Sequence, residues 1–257
     1  MIELETRVIV ITGACGQLGA ELCRTYADLG WTVCVTDIEV TACEKLAKSL
    51  SKKVNQKHIP ISMDVTSEES VRKAIKHIEN QEMSIDVLVN NAGTAVFSNF
   101  KERTKDEFMN VVEVNLFGAF NCIKQIGAHM ISNNIKGSII NIGSIYGVVS
   151  SDPKIYTDCS RNNSEVYSAT KAGIIQITNY FAIHLADEHI RVNCVSPGGV
   201  FNNQGDDFVK NYSQKTPAKR MATPQEIVQA VVYFSDNSTS SYISGQNLLV
   251  DGGLTSW

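Results

Sequence analysis

A chain of 257 residues, 43% hydrophobic and 19% charged, can bury a full core. Its net charge of -4, with no long basic run, argues against nucleic acid or an anionic membrane as the main partner, and no apolar run is long enough to span a bilayer. The seven cysteines, at 15, 23, 34, 43, 122, 159 and 194, form no C-x-x-C pair, so they read as reduced packing residues and not as a disulfide frame or metal site. The acidic start Met1-Ile2-Glu3-Leu4-Glu5 lacks the basic and apolar regions of a signal peptide, which predicts a cytoplasmic protein.

Arg7 to Ile11 is a short run of mostly β-branched apolar residues, the pattern of a parallel strand buried on both faces. Thr12-Gly13-Ala14-Cys15-Gly16-Gln17-Leu18-Gly19 follows and leads into a helix over 20–29. Glycines between strand and helix let the backbone turn tightly and approach a pyrophosphate, whose charge the helix N-terminus favours. The second strand, Trp31 to Thr36, ends at Asp37. A carboxylate there can accept both hydroxyls of an adenosine ribose and repel a 2'-phosphate, which selects NAD over NADP; it also suits a helix N-cap, since a helix is predicted from about Val40. No Arg or Lys lies between Gly13 and Gly19 or just after Asp37 to receive a 2'-phosphate.

Lys57 to Ser62 reads as a third strand, and Met63-Asp64-Val65-Thr66 opens a helix to about Asn80, with Asp64 placed to cap it or to meet an adenine amine. A fourth strand, Ile85 to Val89, ends in Asn90-Asn91-Ala92-Gly93, small and amide residues at the strand end where open α/β sheets bind ligands. One long helix is predicted over 105–131, with Asn115 among apolar neighbours and in need of buried partners. The fifth strand, Gly137 to Ile142, puts Ser144 at its C-terminal edge; after the sixth, Ile190 to Val195, comes Ser196-Pro197-Gly198-Gly199. Residues 200–222 read as polar and irregular, a lid or substrate loop. Thr223-Pro224-Gln225-Glu226 carries a capping box for a helix to about Ser235, and Gln246 to Val250 is the last strand. This alternation predicts α/β architecture: a single doubly wound, mostly parallel seven-stranded sheet over 1–257, with substrate loops at about 145–166 and 200–222.

Tyr167 and Lys171 stand four residues apart on the predicted helix that runs to about Asp187. At that spacing they share a face, and an ammonium beside a phenol favours its ionised form, so the tyrosine becomes usable as an acid or base.

Taken together, the T-G-x-x-G-x-x-G turn, N-N-A-G, the Asn115 helix, N-I-x-S, Y-x-x-x-K, P-G-G and the terminal V-D-G-G resemble the short-chain dehydrogenase/reductase family over residues 7–253. The C-terminal half is most similar to bacterial members associated with flagellin and surface-sugar modification. The resemblance implies that Tyr167 gives or takes the proton, that Lys171 assists it and binds the nicotinamide ribose, that Ser144 orients the substrate oxygen and that Asn115 holds the water of a proton relay. It implies NAD along Gly13, Cys15, Gly16, Gln17, Leu18 and Gly19, then Asp37 and Ile38, Asp64 and Val65, and Asn91, Ala92 and Gly93. It further places Pro197, Gly198, Val200 and Asn202 by the nicotinamide. A homotetramer or homodimer through the Tyr167 helix, its neighbour over 105–131 and the last strand is also implied, with a small-molecule substrate, no nucleic acid and no membrane partner.

Three departures bear on function. The spacing of Gly16 and Gly19 resembles the longer, sugar-nucleotide-modifying subclass, whose larger C-terminal substrate domain this chain lacks. Asn202 stands where the family usually has Thr. The polar segment Ser150 to Asn163 lengthens the separation of Ser144 from Tyr167, and a segment of that kind at the catalytic edge is expected to shape the substrate pocket. Lys154 and Arg161 within it, with Lys210, Lys215, Lys219 and Arg220 later, are candidates to receive an anionic, phosphorylated or nucleotide-linked sugar. The expected activity is NAD-dependent interconversion of a secondary alcohol and a ketone on a polar, sugar-like substrate. The alternatives are an NAD-retaining epimerase or dehydratase, separated by net NADH formation, and a non-catalytic dinucleotide sensor, separated by NAD binding without turnover.

Overall fold

The computed structural model describes residues 7–53, 56–157 and 163–256. Seven strands make one sheet in the order β3-β2-β1-β4-β5-β6-β7, every neighbouring pair parallel. They are β1 (Val8–Thr12), β2 (Thr32–Asp37), β3 (His58–Ser62), β4 (Val87–Asn90), β5 (Ser138–Ile142), β6 (Arg191–Pro197) and β7 (Asn247–Val250). β1, β4, β5 and β6 are buried throughout, as expected for strands covered on both faces.

On one face, α1 (Gln17–Asp28), α2 (Val40–Ser49) and α8 (Pro224–Ser235) pack Leu22, Cys43, Ile227 and Val231 against Ile9, Ile11 and Val89. On the other, α3 (Glu68–Glu79), α5 (Gly118–Ser132) and α6 (Glu165–His184) pack Ile75, Ile123, Ile126 and Ala182 against Val10, Leu88 and Ile139. The strand order reverses between β1 and β4, so their C-terminal ends open the crevice where such sheets take ligands. Among the described residues no helix is long and apolar enough to cross a membrane.

Two elements differ from the sequence expectation. The single helix over 105–131 is divided into α4 (Lys105–Val112), a π turn (Glu113–Phe117) and α5. The cause is tertiary. Asn115 must aim its amide at Thr94 on the β4 side, and Gly118 lies so close to Val65 that an added Cβ would come within 2.6 Å of Val65 Cγ2. A one-residue widening of the helix satisfies both.

The 200–222 segment is not irregular throughout; it contains α7 (Asp206–Lys215). Asp206 and Asp207 favour its N-terminus, and buried Phe208 and Tyr212 pack on Ile155 and Met221. Burying those two rings stabilises the helix by about 2 kcal/mol each, a contribution invisible without the partners. A short α9 (Asn237–Ser240) precedes β7.

Candidate active site

The turn after β1 is fixed by contacts that admit only glycine. Gly13 has φ +60°, and a Cβ on it would lie 2.8 Å from Ala92 Cα; one on Gly19 would lie 2.3 Å from Gly13 O. Gly16 is different. A Cβ there meets only Gly13 O, at 3.5 Å, and otherwise points into open space.

Thr12 staples this turn to the end of β4. Its hydroxyl accepts from Asn91 N at 3.0 Å and Ala92 N at 2.9 Å, while Asn91 Nδ2 donates to the carbonyls of Thr12 and Gly13, each at 2.9 Å. Asp37 closes the other side, its carboxylate accepting from Cys15 N at 3.0 Å and Ile38 N at 2.8 Å. Between them runs a groove of about 540 Å³, with Gly13, Gly16, Gln17, Leu18 and Gly19 along one wall. Asp37, Ile38, Asp64 and Val65 line its far end, and Asn91, Ala92 and Gly93 its floor.

Neither aspartate caps a helix. The N-cap of α2 is Glu39, and Ser67 caps α3, accepting from Ser70 N, while Asp64 holds the turn before it through Thr66. Cys15 is half-buried with its Sγ 3.8 Å from Cys43 Sγ, and burial pushes its thiol up to about 12, as befits a packing residue. Cys159 lies outside the described residues.

Gly93 is where the groove meets Asn115 and Lys171. A Cβ there would lie 3.4 Å from Asn115 Oδ1 and 3.9 Å from Lys171 Nζ. Lys171 is only 6% exposed, and its ammonium donates to Ile142 O at 2.7 Å and lies 5.6 Å from the centroid of the Tyr167 ring. Among the described residues no carboxylate lies within ion-pair distance of it. A buried ammonium with one carbonyl partner retains donors for something that enters the groove.

Ser144, at the end of β5, is buried and accepts from Tyr146 N at 3.1 Å, which leaves its own O–H to be donated. It shares a chamber of about 250 Å³ with Tyr167, Gly198 and Val200. Pro197 is the buried end of β6, and Asn202 is exposed, its N–H donating to Gln204 Oε1 at 2.7 Å. Gln17 ties the glycine turn to the segment after β6, donating to Phe201 O at 2.6 Å.

Asn115 is buried, as its apolar setting required, and its partners are protein groups. Oδ1 accepts from Thr94 N at 2.7 Å, and Nδ2 donates to Thr94 O at 3.0 Å and Thr170 Oγ1 at 3.2 Å. Thr170 in turn donates to Tyr167 O at 2.8 Å, so the π turn is bonded to the turn of α6 that carries Tyr167.

The cations singled out for an anionic substrate are not gathered here. Lys154 is exposed on the short turn Pro153–Ile155 and does not line the chamber, Lys215 pairs with Asp152, and Arg220 pairs with Glu226 at 2.5 Å. Lys219 donates to Gln214 O, and Arg161 lies outside the described residues. Two residues that sequence reasoning passed over do matter: Thr12, whose signal was its place before Gly13, and Tyr156, which lines the chamber from within the polar insertion.

A family model described as enoyl-(acyl carrier protein) reductase matches residues 13–255. D-arabinitol 2-dehydrogenase [ribulose-forming] of Candida tropicalis is 30% identical over 99% of this chain and 94% of its own length, and 3-oxoacyl-[acyl-carrier-protein] reductase of Thermotoga maritima is 30% identical over 98% and 99%. A crystal structure of a short-chain dehydrogenase from Leptospira borgpetersenii with bound NAD+ superposes with TM-score 0.87 at 41% identity, over 97% of this chain and 93% of that one. The similarity spans both the dinucleotide groove and the Tyr167 edge, so the chain belongs to the short-chain dehydrogenase/reductase family and is an NAD(P)-dependent oxidoreductase.

Proposed function

We propose that this enzyme uses NAD to interconvert a secondary alcohol and a ketone on a small, polar, sugar-like molecule, with Tyr167 as the acid and base. The observation that carries the reading is the buried Lys171 ammonium, held by one carbonyl and without a described carboxylate partner, between the groove and the Tyr167 ring.

The residues present fit the dinucleotide. Open space at Gly16 leaves room for a pyrophosphate at the N-terminus of α1, Asp37 is placed for ribose hydroxyls, and Asn91, Gly93 and Lys171 border the nicotinamide end. NAD, when bound, supplies the hydride acceptor and donor. The protein handles the proton. Ser144 donates to the substrate oxygen, Tyr167 takes or returns the O–H proton at that oxygen, and Lys171 stabilises negative charge on the phenol. Asn115 is a positioning residue, acting through Thr170 on the backbone of Tyr167. The described parts of the segments at 145–166 and 200–222 border the substrate, since both contribute residues to the chamber. A sugar-like substrate is supported by the polyol relatives and by the hydroxyl and amide groups of Ser144, Tyr146, Asn163 and Gln204 there.

NADH absorbance over a panel of polyols, ketoses, sugar phosphates and simple secondary alcohols tests the reading, with NAD and NADP in parallel. NAD-dependent turnover of one class is expected. Tight NAD binding with no net NADH from any of them would sink it in favour of retained-cofactor chemistry or sensing.

The preference for NAD rests on Asp37, whose charge opposes a 2'-phosphate. Asp37→Asn keeps one acceptor oxygen, for Cys15 N, gives up the one that Ile38 N uses, and removes that charge. It is expected to raise the NADP-to-NAD ratio of kcat/KM by roughly 100-fold, and an unchanged ratio would dismiss Asp37 as the selector.

The same reading includes a homo-oligomer through α5 and α6. Large apolar side chains stand exposed there and at the end of the π turn, with Phe117 37%, Phe120 37%, Tyr180 53% and Ile183 76% accessible. Ile183→Glu is expected to reduce the mass measured by light scattering to a smaller species; an unchanged mass would place the interface elsewhere.

A further inference from the structure

We propose that Tyr156, carried by the insertion between Ser144 and Tyr167, determines which alcohol the site accepts: its hydroxyl and that of Tyr146 recognise a second, uncharged hydroxyl of the substrate. This rests on the oxidoreductase reading above and names the substrate class of the same site.

The two phenol oxygens are 3.4 Å apart, and both rings line the chamber that holds Ser144 and Tyr167. Such a pair offers a donor and an acceptor side by side, the complement of a substrate hydroxyl. Burial, with Tyr156 adjacent, pushes the Tyr146 hydroxyl above the usual phenol range, which keeps it a neutral donor. Among the described residues no charged side chain lines the chamber, and the hydroxyls and amides that do are neutral donors and acceptors suited to a neutral hydroxyl. The chamber of about 250 Å³ corresponds to roughly eight waters, space that the nicotinamide end and a small substrate would share.

Tyr156 is not left to a free loop. Ile155 beside it is buried with Phe208, Tyr212 and Met221, and the Tyr156 ring centroid lies 5.3 Å from that of Phe208. Asn211 Nδ2 donates to Thr157 Oγ1 at 2.7 Å, and Asp152 forms an ion pair with Lys215 at the end of α7. The insertion and α7 are thereby clasped on both sides of Tyr156, which fixes its hydroxyl relative to Tyr146 and gives it discriminating power.

The test is the ratio of kcat/KM for neutral four- to six-carbon polyols to that for cyclohexanol, followed by NADH absorbance, with phosphorylated polyols as a third arm. Tyr156→Phe is expected to lower this ratio about three- to tenfold, chiefly through the polyol KM, and Tyr146→Phe to do the same. Lys215→Met is expected to lower it as well, and Lys215→Arg to retain it. Wild-type turnover of polyols with an unchanged ratio in Tyr156→Phe overturns the inference and leaves the oxidoreductase standing, as does a phosphorylated polyol preferred over its neutral counterpart. No turnover of any alcohol would instead remove the oxidoreductase reading, and this inference with it.

Discussion

Tyr167→Phe is expected to lower kcat/KM by on the order of 1,000-fold or more, with NADH affinity held within about twofold. The substitution keeps the ring, and with it the packing beside Lys171, but removes the chamber-lining phenol oxygen that the proposed mechanism uses to exchange the proton. Taking hydride from an alcohol carbon makes its O–H acidic only as the reaction proceeds, so without an acceptor at that oxygen the transition state is left with uncompensated charge. Ser144 cannot substitute, because its hydroxyl has no described base to take its proton. NADH fluorescence titration separates the two outcomes. Activity within tenfold of wild type, at unchanged NADH affinity, would assign the proton transfer to another group.

Gly19→Ala and Gly16→Ala are expected to fail in different ways. A Cβ on Gly19 would stand 2.3 Å from Gly13 O and 2.8 Å from Ala14 Cα, all backbone, so α1 must move away from the strand turn. That overpacking costs about 3 kcal/mol or more, and melting should fall by roughly 6–12 °C, with dinucleotide binding lost. Gly16 has φ -71° and ψ 170°, which alanine adopts without strain, and its Cβ meets nothing closer than 3.5 Å. Melting should therefore change by no more than about 2 °C, while the NADH Kd rises roughly tenfold or more because the methyl occupies ligand space. Equal losses of stability in both variants would show that the open side of Gly16 is structural space and not ligand space.

The sequence made the sheet legible because its strands are buried on both faces and so carry apolar runs, as Val8–Thr12 and Val87–Asn90 do. Glycine spacing located the groove, and Ser144, Tyr167 and Lys171 are brought to one edge. What stayed hidden depends on contacts between distant segments. Asn115 announced a need for partners but not that meeting it would widen the helix. Helix α7 looked polar because only Phe208 and Tyr212 are buried, against partners supplied by the insertion and by Met221. The insertion itself reads as hydrophilic, yet Ile155 and Tyr156 are the residues that attach it to the rest of the molecule. Lysines 154 and 215 matched an anion by composition, but one is exposed and the other is already paired.

The π turn sets a rule for how this chain can change in length. A π turn holds one residue more than the α turn it replaces, so deleting one position between Glu113 and Phe117 would close it to a regular α-helix and leave α5 in register with α4. Ile123, Ile126 and Met130 would keep their places in the core, but Asn115 would lose its aim at Thr94. A deletion in these five residues is therefore borne by the core and not by the site. Around Ser150 and Ser151 the chain bonds mainly to itself, and there descendants of this protein can lengthen or shorten while the sheet and its Tyr167 edge stay in register.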